Sequence, residues 1–282
     1  MTAPVARSEE ACGNMKPADI IRLKELLPTS LGSDEIREQF AADILRLSIV
    51  SARIEDARVL SKIREVCAAL AAGEINAAKA CEGLLNVLSQ IGYDTTADDG
   101  KLENPVAEKR LNLILETQRQ MAASVARLSL ETEDTLDMYP AWELTRADAP
   151  AMPRKDWPAR WNAAGESVGW EGARKGIYYG SGVGIGFVAL KSSPIWAALG
   201  SGVGGYRDTL GNPYPPFAYG SYMDWIDVDR ETAERLGLLK PGEAIEQSNN
   251  PNNQTISLSP DDAELLEAAK RVGWPGLFDD LK

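Results

Sequence analysis

From Leu47 the apolar positions recur every three or four residues, through Val50, Ile54, Ala57, Leu60, Ile63, Cys67 and Leu70, with Arg53, Glu55, Asp56 and Arg58 on other faces. That spacing predicts an amphipathic helix, closed by Gly73 as its C-terminal cap. A second helix is expected over 76–91, from Cys81, Leu84, Leu88 and Ile91, stopping at Gly92. A third shows the cleanest period. Ala107, Leu111, Ile114, Gln118, Met121, Val125 and Leu128 alternate steps of four and three over three heptads, a seam that needs a partner helix. Gln118 is its one polar member, and it reads as a hydrogen-bonded register device.

The texture changes after Tyr139-Pro140. In WELTRADAPAMPRKDWPARW, prolines 150, 153 and 158 forbid a long helix and Trp142, Trp157 and Trp161 supply apolar anchors, so an irregular packed connector is expected. Beyond it, Ile177 to Tyr179 and Phe187 to Leu190 read as short strands, and Pro194 to Leu199 as a helical turn with proline at its start. Asp227 to Leu239 reads as a short helix with Asp229 as N-cap and an end near Gly237. Residues 246–255 are a polar loop, and a last helix is expected from Ser259, with Glu264 to Val272 as its body.

These elements predict an α+β protein, mostly α: an antiparallel helical domain with an irregular C-terminal region containing a small β-sheet. The expected divisions are an N-terminal arm at 1–16, a helical domain at 17–139, a Pro/Gly/aromatic-rich α+β region at 140–240, and a polar loop with a C-terminal helix at 241–282.

Composition narrows the chemistry. The 282 residues contain no histidine, which removes Ser-His-Asp and Cys-His catalysis, HExxH zinc hydrolysis and every His-dependent metal site. Carboxylate sites remain open, among them a magnesium-dependent nuclease. The net charge of −12 argues against broad adhesion to nucleic acid, so any DNA contact is local. Cys12, Cys67 and Cys81 are few and odd in number, as in a reducing cytoplasm. No window has the apolar length of a membrane span, and the first residues lack the pattern of an export signal.

Several motifs invite a sharper reading. GSGVGIG (180–186) and GSGVGG (200–205) suggest nucleotide loops, yet the first lacks the glycine before Lys191 and the second does not follow a strand, so both read as turns. Asp224, Asp227, Asp229 and Glu231 lack the spacing of a calcium loop and read as capping and solvated acids. Arg146, Arg154, Lys155 and Arg160, interleaved with tryptophans, have the composition of a phosphate contact but read first as surface charge, with a protein partner as the exception. No metal or cofactor is expected.

The segment GNPYPPFAYGSYM (211–223) holds three prolines and four aromatic rings in thirteen residues. Proline fixes the backbone beforehand and rings give contact area at small entropic cost, so it reads as a preformed docking or domain-locking strap. The alternative is that its rings cover the protein's own helices.

Three blocks in order resemble the head morphogenesis, or minor head, proteins of Mu-like and related tailed phages and prophages. They are SIVSARIEDARVLSKIREV (48–66), RLNLILETQRQMAAS (110–124), and ALKSSPIWAALG with NPYPPFAYGSYMDWIDVDRETAERLGL (189–238). PRKDWPARW (153–161) fits the variant of the third block found in environmental relatives of the Mu type. The cysteine- and histidine-containing ending of many members is absent here. The resemblance implies a non-catalytic minor head protein that binds portal or major capsid subunits during assembly, in the host cytoplasm and then the virion head, and that affects DNA packaging or ejection. A homo-oligomer within the head is a further option. Expected binding or core residues are Trp157, Trp161, Trp196, Tyr214, Pro215, Pro216, Phe217, Tyr219 and Trp225. The enzyme alternative is a carboxylate- and metal-dependent nuclease or transferase using Glu143, Asp227 and Asp229.

Overall fold

A computed structural model describes residues 15–97, 99–146, 154–173, 177–178 and 185–245. The expected arm up to residue 14, the first glycine loop, the 246–255 loop and the helix from Ser259 lie outside the described residues. The protein is mostly α with a small antiparallel sheet in its later part, as the sequence predicts, and it adds a two-stranded parallel pair within the stretch expected to be helical. Two compact units divide inside one helix, at 119/120, upstream of the change in texture at 139/140.

The first element of the described residues is α1 (Pro17–Arg22). In the unit of residues 21–119, β1 (Glu25–Leu27) pairs in parallel with β2 (Ser48–Val50), and α2 (Ser33–Gln39) and α3 (Ala42–Arg46) lie between them in sequence. The helix expected from Leu47 therefore starts ten residues late. Val50 belongs to a strand and Ile54 to a bridge with Thr29, so their apolar spacing reports a pair of short strands.

Helix α4 (Ala57–Ala71) begins where the Asp56 side chain accepts from the Arg58 amide at 2.8 Å. It buries Val59, Leu60, Ile63, Val66 and Cys67. Gly73, with φ +74, ends it in the left-handed region that other residues adopt at a cost. Asn76 then caps α5 (Ala77–Gln90), accepting from the Lys79 amide at 2.9 Å, and Ala80, Cys81, Leu84 and Leu88 form its buried face. The two helices pack as an αα-hairpin.

Helix α6 (Glu108–Ser129) carries the expected seam from Leu111 on, with Leu111, Gln118, Met121 and Leu128 buried, Ile114 and Val125 half-buried, and Ala107 buried just before its start. Arg110 is buried on the same helix, donating to Ser51 Oγ at 2.8 Å and to the carbonyls of Ala52 and Glu103. Met121 and Leu128, near its other end, join a tryptophan cluster, which accounts for the division within the helix.

In the unit of residues 120–245, α7 (Glu133–Met138) leads into β3 (Ala141–Arg146), the strand between β5 (Ile185–Leu190) and β6 (Met223–Val228). The two-residue β4 (Ile177–Tyr178) adds to the β5 side. Helices α8 (Trp157–Ser167), α9 (Ile195–Ser201) and α10 (Arg230–Arg235) complete the unit. Of the expected irregular connector, the described residues belong to a central strand and to the start of an eleven-residue helix, and residues 147–153 lie outside the described residues. Pro158 stands in the first turn of α8, where its missing N–H has no intrahelical partner to lose.

Register separates two faces. Trp142 lies opposite Asp227 and Ala189, and Leu144 opposite Trp225 and Phe187, on one side. Ala141, Val188 and Val228 form the other, covered by Ala233 of α10 and Leu239. Asp229 caps α10 by accepting from the Thr232 amide at 2.8 Å, as its sequence predicts. No helix among the described residues is long and apolar enough to cross a membrane.

Candidate binding strap

Residues 208–221 leave α9 and return to the sheet as a closed strap. Its neck is an antiparallel pairing: the Leu210 amide donates to Phe217 O at 2.8 Å, the Tyr219 amide to Asp208 O at 2.9 Å, and Thr209 bridges Ala218. Gly211 N–H donates to Gly200 O at 2.9 Å, which ties the strap to the end of α9. Gly200 is required there, because a Cβ at that position would overlap the backbone of Asn212. The Ser221 hydroxyl donates to Pro216 O and accepts from the Met223 amide, joining the strap to β6. Phe217 and Tyr222 sit at φ +55 and +54, a left-handed conformation that aromatic residues adopt only where their surroundings hold them.

Eight of the nine expected binding or core residues are brought together in the interior. Trp157, Trp161, Trp196, Tyr214, Pro215, Pro216, Phe217 and Trp225 are all buried, and only Tyr219 faces solvent, at 39% exposure. Trp196 is the hub: its ring lies 5.6 Å from Trp142, 5.7 Å from Trp161, 5.9 Å from Trp225 and 6.2 Å from Phe217. Trp142 stacks on Trp225 with centroids 3.7 Å apart. Ring pairs of this kind add about 0.5–1.5 kcal/mol each beyond burial. The strap's rings therefore cover the protein's own core, and what it offers outward is Tyr219 and the half-buried side of its neck, residues 208–210.

Three arginines hold that neck. Asp208 accepts from Arg154 and, at 2.9 and 3.1 Å, from Arg160, whose side chain is 5% exposed. Arg160 also bonds Asp156 at 2.9 Å and lies between the rings of Trp157 and Tyr206, at 5.2 and 4.1 Å. Arg154 donates to Tyr219 O at 2.7 Å, and Arg146 to Arg154 O at 2.9 Å. Burial alone would raise the pKa of Asp208, but the hydrogen bonds and charges of Arg160 and Arg154 together hold it below the usual carboxylate range. The basic run expected as surface charge is largely an internal clamp, and Lys155 is its exposed member.

A second cluster holds the Trp142 face. Lys191, 7% exposed, donates to Glu131 Oε1 at 2.5 Å and pairs with Asp227 Oδ1 at 2.9 Å. Arg127 reaches Asp227 Oδ2 at 2.8 Å, and Trp142 Nε1 donates to Asp227 Oδ1 at 3.1 Å. The same opposition sets Asp227: burial raises its pKa, and Lys191 and Arg127 lower it further than that. Sequence reading missed Lys191, Glu131 and Arg127. Their only local signal is a lone lysine after an apolar strand.

The carboxylates do not gather. Asp227 shares a sheet face with Trp142, so Glu143, the neighbour of Trp142, projects from the opposite face; burial raises the pKa of Glu143. Asp229 is occupied as a helix cap, and Asp224 accepts from the Trp225 amide. Among the described residues no group of three or more His, Cys, Asp or Glu is placed to hold a metal ion. Cys67 and Cys81 are buried free thiols, and Cys12 lies outside the described residues. In the second glycine run, Gly202, Gly204 and Gly205 have positive φ in a turn after α9, in keeping with the turn reading.

Compared with family models, curated proteins and solved structures, the chain has no match.

Proposed function

We propose that this chain is a phage or prophage minor head protein that works by adhesion to portal or major capsid subunits, in the host cytoplasm during assembly and then in the virion head. The observation that carries the reading is the strap, which is closed on itself and seated on a tryptophan hub before any partner arrives. A surface ordered in advance loses little conformational entropy when it is bound. The reading is also supported by the third block of the resemblance. Its residues 189–238 fold as consecutive pieces of one unit, from the end of β5 through α9, the strap and β6 to α10.

The work assigned to the strap is positional. Its neck and Tyr219 meet the partner, while Tyr214 and Phe217 keep the neck in place from within. Association with other head subunits requires shape and area and no reactive group.

The test is incorporation. Tagged chain expressed during phage growth or prophage induction is expected in purified heads with portal or coat protein, and Tyr219→Ala is expected to lower that incorporation with its melting temperature unchanged. Heads that form normally and exclude the wild-type chain would sink the reading. Magnesium-dependent plasmid cleavage abolished by Glu143→Gln or Asp227→Asn would replace it with the nuclease.

A further inference from the structure

The face of the sheet turned away from the tryptophans is only partly covered. Ala141, Val188 and Val228 lie under Ala233 and Leu239, with Leu236, Leu238 and Ile245 packed around them. In the row of Glu143 that cover stops short of β6. Glu143 stands in register between Val188, which is fully buried, and Ile226, which is 47% exposed. The row beyond, Thr145 opposite Asp224, is half-buried.

Glu143 is the exception among the half-buried acids of this unit. Asp156 and Asp208 meet Arg160, Glu131 meets Lys191, Glu234 meets Arg230, and Asp224 and Asp229 accept backbone amides. The Glu143 carboxylate, in the central strand, has no hydrogen bond or ion pair among the described residues, and burial alone raises its pKa. The cations near the sheet are committed elsewhere. Arg127 and Lys191 hold Asp227 on the tryptophan face, and Arg146 alternates with Thr145 onto that same face. In the covering helix, Arg230 is engaged by Asp137 and Glu234, and Arg235 donates to the Thr232 hydroxyl.

We propose that this open part of the face docks an arginine of a protein partner, its guanidinium closing on Glu143 and its aliphatic stem lying on Ile226. The occupant is argued from charge and shape together. A carboxylate with both oxygens unengaged matches the two parallel donors of a guanidinium. Residues paired across strands stand about 4.5–5.5 Å apart at Cβ, so a bare isoleucine beside that carboxylate lies within reach of the stem that carries the charge. Nucleic acid is the wrong sign for such a site, with Asp224 on the same face of a chain whose net charge is −12. The site lies on the opposite face of the sheet from the strap's rings and does not depend on the reading of the strap.

Methyl and carboxyl NMR of the full chain, titrated with the peptide acetyl-Gly-Arg-Gly-amide, tests this. The Ile226 methyl and Glu143 carboxyl signals are expected to move together and saturate. The same peptide with citrulline for arginine keeps the shape and loses the charge, and it is expected to bind more weakly by about fivefold or more. The arginine peptide is expected to lose as much on Glu143→Gln, read at the Ile226 methyl. If Glu143→Gln loses its native near-ultraviolet signal, Ile226→Ala carries the test: read at the Glu143 carboxyl, binding is expected to weaken by about twofold or more. The proposal is overturned if neither signal moves on the wild-type chain, or if the citrulline peptide binds as tightly as the arginine peptide. It is also overturned if natively folded Glu143→Gln, or Ile226→Ala tested in its place, binds as the wild type does. Signals that already shift with protein concentration before peptide is added overturn it as well, since a second copy of the chain then holds the face.

Discussion

Lys24 Nζ donates to Gln118 Oε1 at 2.7 Å, joining two residues 94 positions apart in the buried interior of the 21–119 unit. Burial lowers the Lys24 pKa to about 8, and Cys67 opposes the shift. Folded Lys24 thus binds fewer protons than unfolded Lys24 between about pH 8 and 10.5, and its contribution to stability rises with pH across that window. Cys67 acts the other way. Burial pushes its thiol up to about 12, so the folded chain keeps a proton that the unfolded chain releases above about pH 9. Stability is therefore expected to rise from pH 8 to 9 and level off above it. Removing the pair as Lys24→Met with Gln118→Leu is expected to abolish that rise and to stabilise the fold at pH 7 by about 1–3 kcal/mol. Gln118→Ala alone, which strands a buried ammonium, is expected to cost about 1–3 kcal/mol. Denaturant titrations at pH 7, 8, 9 and 10 read all three.

Phe217→Ala is expected to cost about 3–5 kcal/mol, because the ring is fully buried between Trp196 and Trp225. Tyr219→Ala is expected to cost less than about 1 kcal/mol. Urea midpoints of the two variants check the division of the strap into an inner and an outer side.

At the neck, Asp208→Asn weakens the charge that Arg154 and Arg160 share, and a loss of roughly 1–3 kcal/mol is expected. The folded pKa of Asp208 is depressed, so its contribution is present above the ordinary carboxylate pKa and is lost as pH falls through the folded value. Tryptophan fluorescence of the wild type is then expected to change on acidification below about pH 4. Asp208→Asn is expected to show a smaller acid transition.

Gly200→Ala ought to help a helix, by about 1 kcal/mol on propensity alone. In this protein the added methyl meets the Asn212 backbone, so the substitution is expected to destabilise and to displace the strap from α9. A lowered melting temperature with faster proteolysis near Asn212 is the expected result.

Much of the helical unit is legible because its signals are local. Gly73 and Gly92 mark ends that need only their own turn to form, as Asp229 does in the other unit, and Gln118 announces its hydrogen bond as the lone polar residue of a seam. Ser48 to Val50 is misread because the half-buried Val50 of a short strand, followed by buried Ile54, imitates a helical period. In β3, Trp142 and Leu144 alternate with Glu143 and Thr145, a strand signal that the prolines downstream obscure. The strap's inventory of rings is equally plain in the sequence, but whether such rings face inward or outward depends on Trp196 and Trp225, which only the folded chain supplies. The ion clusters are illegible for a simpler reason. Arg127 and Asp227 stand 100 residues apart, and no local rule joins them.

The stacked indoles of Trp142 and Trp225, with planes 19° apart, give the molecule an optical signature of its own. Two transition dipoles at that separation couple, so the far-ultraviolet dichroism should carry an exciton couplet that vanishes in Trp142→Phe. Phe217 abuts one of these chromophores edge-on, so the couplet's amplitude registers, without any label, whether the strap is seated.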